Sequence, residues 1–146
     1  MSDSSMPPRH EDPSLDLLRP YITASAQALR AAGVELERSW LDPSGPRDAT
    51  ILCRLRDEKV HGLVWDEESG WRIGEFVSGH PGERTQLADA RYLGEEVLPQ
   101  PQTVARAVTG GFTGSFRKFR DHSDDPESFD VKVRAFDTQE RETFAE

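Results

Sequence analysis

The sequence predicts an α+β fold, in which an antiparallel meander of four or five strands carries an N-terminal and a C-terminal helix on one face. Two observations support this class. Apolar residues recur at helical spacing over 15–29 and 101–108, and they alternate with polar residues over much of 34–77. Short stretches rich in Gly, Pro, Asp and Ser separate the alternating segments, as expected for consecutive antiparallel strands.

The centre of the predicted sheet is a hairpin whose two apolar runs end in Trp65 and Trp71. The acidic link 66–70 joins them and ends in glycine, which is a common hairpin loop. A four-residue loop would split the apolar side chains between the two faces of the sheet, so we expect the five-residue loop. Its register pairs Trp65 with Trp71, Leu63 with Ile73, and His61 with Glu75.

The N-terminal elements precede this hairpin. Residues 1–13 are polar and proline-rich without periodicity, so we expect a disordered leader. The regular part of the first helix should begin near Pro20, because proline is tolerated in a first turn. Its apolar face comprises Leu15, Leu18, Ile22, Ala26 and Leu29. The next strand should place Val34, Leu36 and Trp40 on one side, and the strand after it Ala49, Ile51, Cys53 and Leu55.

The C-terminal elements are less uniform. Residues 86–93 fit either a fifth edge strand or a helical turn. Pro101 suits the first position of the second helix, which glycines at 110, 111 and 114 either end or merely interrupt. We therefore predict one domain over 14–120, followed by an acidic extension over 121–146. In that extension Phe129, Val131, Val133 and Ala135 alternate, which indicates one added strand.

Composition narrows the classes of function. The net charge is −9, and the extension 121–146 contributes 9 acidic against 3 basic side chains. This balance argues against coating of nucleic acid, which needs a basic surface. The single cysteine, Cys53, excludes an intrachain disulfide. The chain contains neither a long apolar run nor a signal-peptide pattern, so we expect a cytoplasmic protein outside the membrane.

Motifs for metal, cofactor or catalytic chemistry are not evident. The histidines lack the spacing of a zinc site, and the glycines after residue 109 lack the lysine of a phosphate loop. Asp121, His122, Asp124 and Asp125 lack the glycine and terminal glutamate of a calcium loop, so a solvated loop is expected. Asp66, Glu67 and Glu68 should likewise face water at the hairpin tip. We therefore predict no metal, no cofactor and no catalytic residue.

Two groups of residues are candidates for binding. In the first, aromatic side chains at helical spacing lie next to positive charges, an arrangement that can hold an acidic partner or stack on bases. This group is Phe112, Phe116, Arg117, Lys118, Phe119 and Arg120. The second is a pocket beside the hairpin, formed by His61, Trp65, Trp71 and Glu75, where the carboxylate could orient the imidazole.

The middle of the chain resembles a family of small actinobacterial proteins, common in streptomycetes and catalogued as a domain of unknown function. The resemblance covers about 20–108 and implies no catalytic residues. It rests on Tyr21-Ile22, Ala28-Leu29, Ala32-Gly33-Val34, Asp42-Pro43, Pro46-Arg47-Asp48-Ala49, Leu63-Val64-Trp65-Asp66-Glu67, Gly70-Trp71, Arg91-Tyr92-Leu93-Gly94, Leu98-Pro99, Pro101 and Val104. The segment from Thr109 to Glu146 is longer than expected for this family.

Three functional hypotheses follow. The first is a non-enzymatic protein-binding or regulatory module that uses the outer sheet face or residues 112–120, with a protein partner and with a homodimer left open. The second is a small enzyme or ligand-binding protein with the pocket beside the hairpin. The third is a nucleic-acid accessory protein. A concave, partly polar pocket would favour the second hypothesis over the first.

Overall fold

The structure is a computed structural model that describes residues 5–42, 46–55, 58–94, 96–110 and 118–144. Within these ranges the chain forms a five-stranded antiparallel sheet, in the order β1-β2-β3-β4-β5, and four helices. The elements are α1 (Pro13–Asp16), α2 (Arg19–Ala31), β1 (Glu35–Leu41), β2 (Asp48–Arg54), β3 (Val60–Asp66), β4 (Gly70–Ser78), β5 (Gln86–Tyr92), α3 (Pro101–Gly110) and α4 (Pro126–Phe144). The α+β class and the meander are confirmed, and residues 86–92 form the fifth strand.

The hairpin at the centre of the sheet has the predicted register. Trp65 lies opposite Trp71, Leu63 opposite Ile73, and His61 opposite Glu75. The strands pair one step further than predicted, to Asp66 and Gly70, so residues 67–69 form the turn. Gly70 has φ of +78°, a conformation that side chains other than glycine rarely adopt.

The main core lies between this hairpin and the helices. Tyr21 on α2 contacts both Trp65 and Trp71, with ring centroids 5.9 and 6.2 Å apart. Its hydroxyl donates to the Pro99 carbonyl oxygen at 2.6 Å and accepts from the Trp71 indole N–H at 3.1 Å. The regular helix α2 begins at Arg19, so the predicted start near Pro20 is confirmed. These two hydrogen bonds satisfy the buried Tyr21 hydroxyl and the buried Trp71 indole N–H, as a close-packed core requires.

The first strand differs from the predicted alternation. A bulge between Leu36 and Arg38 shifts the register of β1 against β2. Leu36 packs against the main core, whereas Trp40 lies on the outer face opposite Thr50, outside that core. The Trp40 indole N–H donates to Asp42 Oδ1 at 2.5 Å. A bulge adds one residue to a strand, so the side chains after it point to the opposite face of the sheet. The alternation of apolar and polar residues does not show where a bulge occurs.

The outer face of the sheet is covered in part by β5 and the loop before it. Gly62 and Gly74 lie opposite each other on this face. A Cβ on Gly62 would lie 2.6 Å from Leu87 Cδ2, and one on Gly74 would lie 2.7 Å from the Ala88 carbonyl oxygen. The two glycines therefore let β5 approach the sheet closely. Thr85 completes the cover, because its hydroxyl lies 2.7 Å from that of Thr50.

The C-terminal extension forms a helix, so the predicted added strand is wrong. Helix α4 buries Phe129, Val133 and Phe136, which recur at steps of four and three residues, and leaves Val131 63% exposed. The alternation over 129–135 is short, and Phe136 extends the helical pattern instead. None of the helices in the described part of the chain is long and apolar enough to span a membrane.

The N-terminal leader also differs in part from the expectation of disorder. The Ser39 hydroxyl donates to the Ser5 carbonyl oxygen at 2.7 Å, and Arg30 contacts the Ser5 side chain. Asp12 caps α1 by accepting the Ser14 backbone N–H at 2.9 Å. Contacts to α2 and β1 thus order the leader from residue 5 onward. Residues 1–4 lie outside the described ranges, as do residues 111–117, over which the sequence allows α3 either to end or to continue.

The close approach of β5 can be tested with one glycine. We expect Gly74→Ala to lower the free energy of unfolding by about 2 kcal/mol, because the added methyl group displaces the β5 backbone. Gly110→Ala is the matched control, since no atom of the described residues lies within 4 Å of a Cβ there. It should leave stability unchanged or raise it by less than about 1 kcal/mol. Urea unfolding measures both, and equal effects would contradict the proposed packing.

Candidate functional site

The described part of the predicted binding segment, residues 118–120, lies against the hairpin turn. Phe112, Phe116 and Arg117 lie outside the described residues. Of the remaining members of the group, the Phe119 backbone N–H donates to the Glu68 carbonyl oxygen at 2.7 Å, and Lys118 Nζ lies 3.9 Å from the Glu68 carboxylate. The Arg120 guanidinium donates to the Glu67 carbonyl oxygen at 3.1 Å. The segment is therefore held against the acidic turn by both backbone and charge.

A buried ion cluster lies beneath this contact. The Arg47 guanidinium donates to both carboxylate oxygens of Glu67, at 2.9 and 3.0 Å, and to Asp130 Oδ1 at 2.8 Å. Arg120 adds a contact of 3.3 Å to Glu67 Oε1. The side chains of Arg47 and Glu67 are only 8% and 4% exposed. This cluster joins the start of β2, the hairpin turn, α4 and the segment 118–120.

The hairpin acids therefore do not all face water as expected. Asp66 and Glu67 are buried, and only Glu68 is partly exposed. Asp66 Oδ1 accepts the backbone N–H groups of Glu68 and Ser69 at 2.8 and 2.7 Å, which closes the turn. Glu67 is buried because Arg47 and Arg120 reach it from distant parts of the chain, whereas Asp66 pairs with Arg72 of the same hairpin. Nothing in the sequence around Arg47 indicates that it pairs with Glu67.

An open cleft lies beside the cluster, between the connector 96–100, the segment 119–125 and α4. We call it the α4 cleft; its volume is about 710 Å³. The Arg120 guanidinium lies 4.1 Å from the centroid of the Phe129 ring, and that ring stacks on Trp65 at 6.3 Å. The residues that line the cleft include Leu98, Phe119, Arg120, Phe129, Lys132 and Phe136. Two members of the predicted binding group thus line a real concavity.

The second predicted site does not form a single pocket. Trp65 and Trp71 are fully buried, and the Trp65 indole N–H donates to the Val97 carbonyl oxygen at 2.6 Å. His61 and Glu75 face each other at the other end of the hairpin, where Lys59 Nζ lies 3.1 Å from the Glu75 carboxylate. The indoles are core residues that a substrate does not reach. This geometry favours a structural role for the group.

A polar pocket that the sequence did not indicate lies on the outer sheet face. We call it the outer-face pocket; its volume is about 420 Å³. Arg84 Nη1 lies 2.7 Å from Asp48 Oδ2, and Arg72 Nη1 lies 3.0 Å from Asp66 Oδ2. Glu68, Ser69, Tyr92 and Lys118 also line it. Polar residues on the outer side of a half-buried sheet normally face water, so their partial burial by the segment 84–87 was not foreseeable from alternation.

Burial perturbs two carboxyl groups on this face. It raises the pKa of Asp48 to about 7, although Arg84 opposes the shift. It also raises the pKa of Asp42 to about 6, although hydrogen bonds from Thr50 and Trp40 oppose it. Among the described side chains, Asp48 Oδ1 is a buried oxygen with no hydrogen-bond partner. Carboxyl groups of this kind in a concavity are typical of functional sites.

A weaker candidate is a group that could share a metal ion. His122 Nδ1 lies 2.9 Å from Glu68 Oε2 and 3.7 Å from Asp121 Oδ1. Lys118 Nζ lies 3.5 Å from the Asp121 carboxylate and would compete with a cation. Hydrogen bonds from Ser123 lower the pKa of Asp121 to about 2. These contacts tie the exposed acidic loop to the hairpin turn, and they account for the group without an ion.

The buried thiol is a poor nucleophile. Burial raises the pKa of Cys53 to about 12, so the thiolate is scarce at neutral pH. Cys53 lies on β2 in the main core, opposite His61 on β3. A structural role for Cys53 agrees with its position.

Comparison with known protein families gives a match to a family model. A family model described as "Family of unknown function (DUF6292)" matches residues 21–110, more than half of the chain. The chain belongs to this family. No curated protein and no solved structure matches it. The DUF6292 region contains the five strands, α3 and nearly all of α2, whereas α4 lies beyond it.

The buried ion cluster gives a stability prediction. We expect Arg47→Met to lower the free energy of unfolding by about 3 kcal/mol, because it leaves the Glu67 carboxylate buried with only a partial partner. Combining it with Glu67→Gln should recover more than half of the loss. Arg54→Met, which removes an exposed pair with Glu37, is the control and should cost less than about 1 kcal/mol. Wild-type stability of Arg47→Met would contradict the assignment.

The raised pKa values give a pH prediction. Folded Asp48 and Asp42 bind protons more tightly than unfolded aspartate, so their contribution to stability falls as pH rises from about 4 to 7. Asp48→Asn should therefore reduce the difference in unfolding free energy between pH 5 and pH 8 by on the order of 1 kcal/mol. Asp89→Asn, at an exposed position on β5, should leave that difference unchanged. Urea unfolding at pH 5 and at pH 8 measures this difference for each variant. If Asp48→Asn shows the same difference as the wild type, the prediction is contradicted.

Proposed function

We propose that the chain is a non-enzymatic protein-binding module of an actinobacterial cytoplasm, and that its partner binds in the α4 cleft. The observation that supports this most directly is the composition of the cleft. Its floor carries Leu98, Phe129 and Phe136, and its rim carries the charged side chains of residues 96, 124, 125 and 132. Protein interfaces typically combine an apolar centre with a polar rim in this way.

The geometry supports a short segment of a protein as the occupant. The aromatic floor is continuous with the core through the stacking of Phe129 on Trp65. A floor packed against the core in this way suits one or two inserted side chains, since little of its own side-chain entropy is lost on binding. The rim carries both signs of charge, which favours a partner of mixed charge. The outer sheet face, the other surface in this hypothesis, is covered in part by β5.

Nucleic acid is a weaker candidate for this cleft. Stacking of bases needs accessible aromatic faces beside free positive charge. The Arg120 guanidinium instead contacts Glu67, the Asp124 carbonyl oxygen at 2.6 Å and the face of Phe129. The acidic groups at the rim would repel phosphates. The net charge of −9 adds to this repulsion.

Site-directed photo-crosslinking tests the proposal in the native host. A benzophenone side chain replaces Ser128, which lines the cleft, or Arg134, which is exposed on α4 away from it. We expect a defined protein to be crosslinked from position 128 and not from position 134. Lys132→Glu should reduce that yield about tenfold, whereas Arg134→Glu should leave it within about twofold of wild type.

The outcome distinguishes partners as well. If the crosslinked protein is a second copy of the chain, the module is a homodimer that uses this cleft, and the molar mass of the purified protein must agree. The same set of proteins crosslinked from both positions, or none from position 128, would overturn the assignment of the cleft.

A further inference from the structure

The outer-face pocket separates its charges by depth. The side chains of Asp48 and Asp66 are only 4% and 11% exposed, whereas those of Arg84 and Lys118 are 43% and 48% exposed. Asp48 and Asp66 therefore form the floor, whereas Arg84 and Lys118 lie at the mouth. Arg72 and Glu68, at 19% and 18% exposure, lie between the two levels.

The floor is also incompletely satisfied. Asp48 Oδ2 accepts from Arg84, but Asp48 Oδ1 is buried and has no hydrogen-bond partner among the residues that the structure describes. The other acid of the floor differs, because Asp66 accepts from Ser69 and Arg72 as well as from backbone N–H groups. A buried carboxylate oxygen without a donor is unfavourable by about 1–3 kcal/mol. A donor supplied by a ligand would remove that penalty.

We propose that the outer-face pocket binds a free α-amino acid, with its ammonium group directed at Asp48 and Asp66 and its carboxylate directed at Arg84 and Lys118. An ammonium group donates to the unpartnered Asp48 Oδ1 and meets the negative floor. A carboxylate attached to the neighbouring carbon lies nearer the mouth, where the guanidinium and ammonium side chains are exposed. The volume of about 420 Å³ is sufficient for a ligand of this size.

This site is independent of the α4 cleft and of the partner proposed to bind there. All lining residues of the outer-face pocket except Lys118 lie within the DUF6292 region. The alternative explanation is that Asp48 and Arg84 only fasten the loop before β5 to the sheet. That alternative predicts changes in stability on mutation but no ligand, so the two can be separated.

The test uses the full chain and measures thermal shift and calorimetric titration with the proteinogenic L-amino acids. At about 10 mM, at least one of them should raise the midpoint of unfolding by about 2 °C or more. Its N-acetyl derivative, which lacks the ammonium group, and its amide, which lacks the carboxylate, should each bind at least about tenfold more weakly. The absence of any shift across the set, or equal binding of the blocked derivatives, would overturn the proposal.

Variants locate the site. Asp48→Asn should weaken binding at least about tenfold, and Lys118→Gln, at an exposed position, at least about threefold. Asp89→Asn carries the same change at an exposed position on β5 where φ is +53°, a conformation that asparagine tolerates, and should bind as wild type. Should Asp48→Asn fail to fold, Lys118→Gln still decides. Wild-type affinity in both pocket variants would contradict the assignment of the pocket.

Discussion

The structure depends on the Glu67 carboxylate, which lies buried between Arg47 and Arg120. Arg47 immediately precedes β2, Glu67 is in the hairpin turn, and Arg120 lies in the segment 118–120. One carboxylate therefore connects three parts of the chain that are distant in sequence. Asp130 brings α4 to the same guanidinium. A buried ion pair contributes little net stability but strongly penalises the loss of one partner, and it therefore specifies geometry more than it adds stability.

The elements predicted best are those with local causes. The register of Trp65 opposite Trp71 follows from apolar alternation and from the length of one loop, and both can be read within eleven residues. The elements predicted wrongly depend on contacts with residues outside the short stretch of sequence from which each was predicted. The bulge after Leu36 has no signature in an alternating pattern. The strand expected over 129–135 had only four alternating residues, and the competing helix became decisive through Phe136, which packs on Tyr21 at 4.5 Å.

The candidate sites show the same division. Phe119 and Arg120 were predicted because aromatic and basic residues lie close together in the sequence, and both line the α4 cleft. The outer-face pocket was missed because its members come from four strands, from the hairpin turn, from the loops before β2 and β5, and from Lys118 after α3. Asp48 occupies a strand position that alternation assigns to solvent. The Arg84 side chain, from the loop before β5, contacts Asp48 at 2.7 Å, and a contact between residues 36 positions apart cannot be predicted from local alternation.

The two concavities also differ in which part of the chain builds them. Residues 21–110 supply every residue of the outer-face pocket except Lys118, whereas the α4 cleft takes one wall from the connector 96–100 and the other from residues beyond 110. A chain that ended near residue 110 would retain the floor of the pocket but would expose Trp65 where Phe129 now stacks. Helix α4 therefore has two roles. It covers an aromatic surface of the DUF6292 region, and it forms one wall of a cleft whose lining carries both signs of charge. A chain of the family without such a helix would have to cover the Trp65 indole with another segment, because exposing this indole to water is unfavourable by about a few kcal/mol.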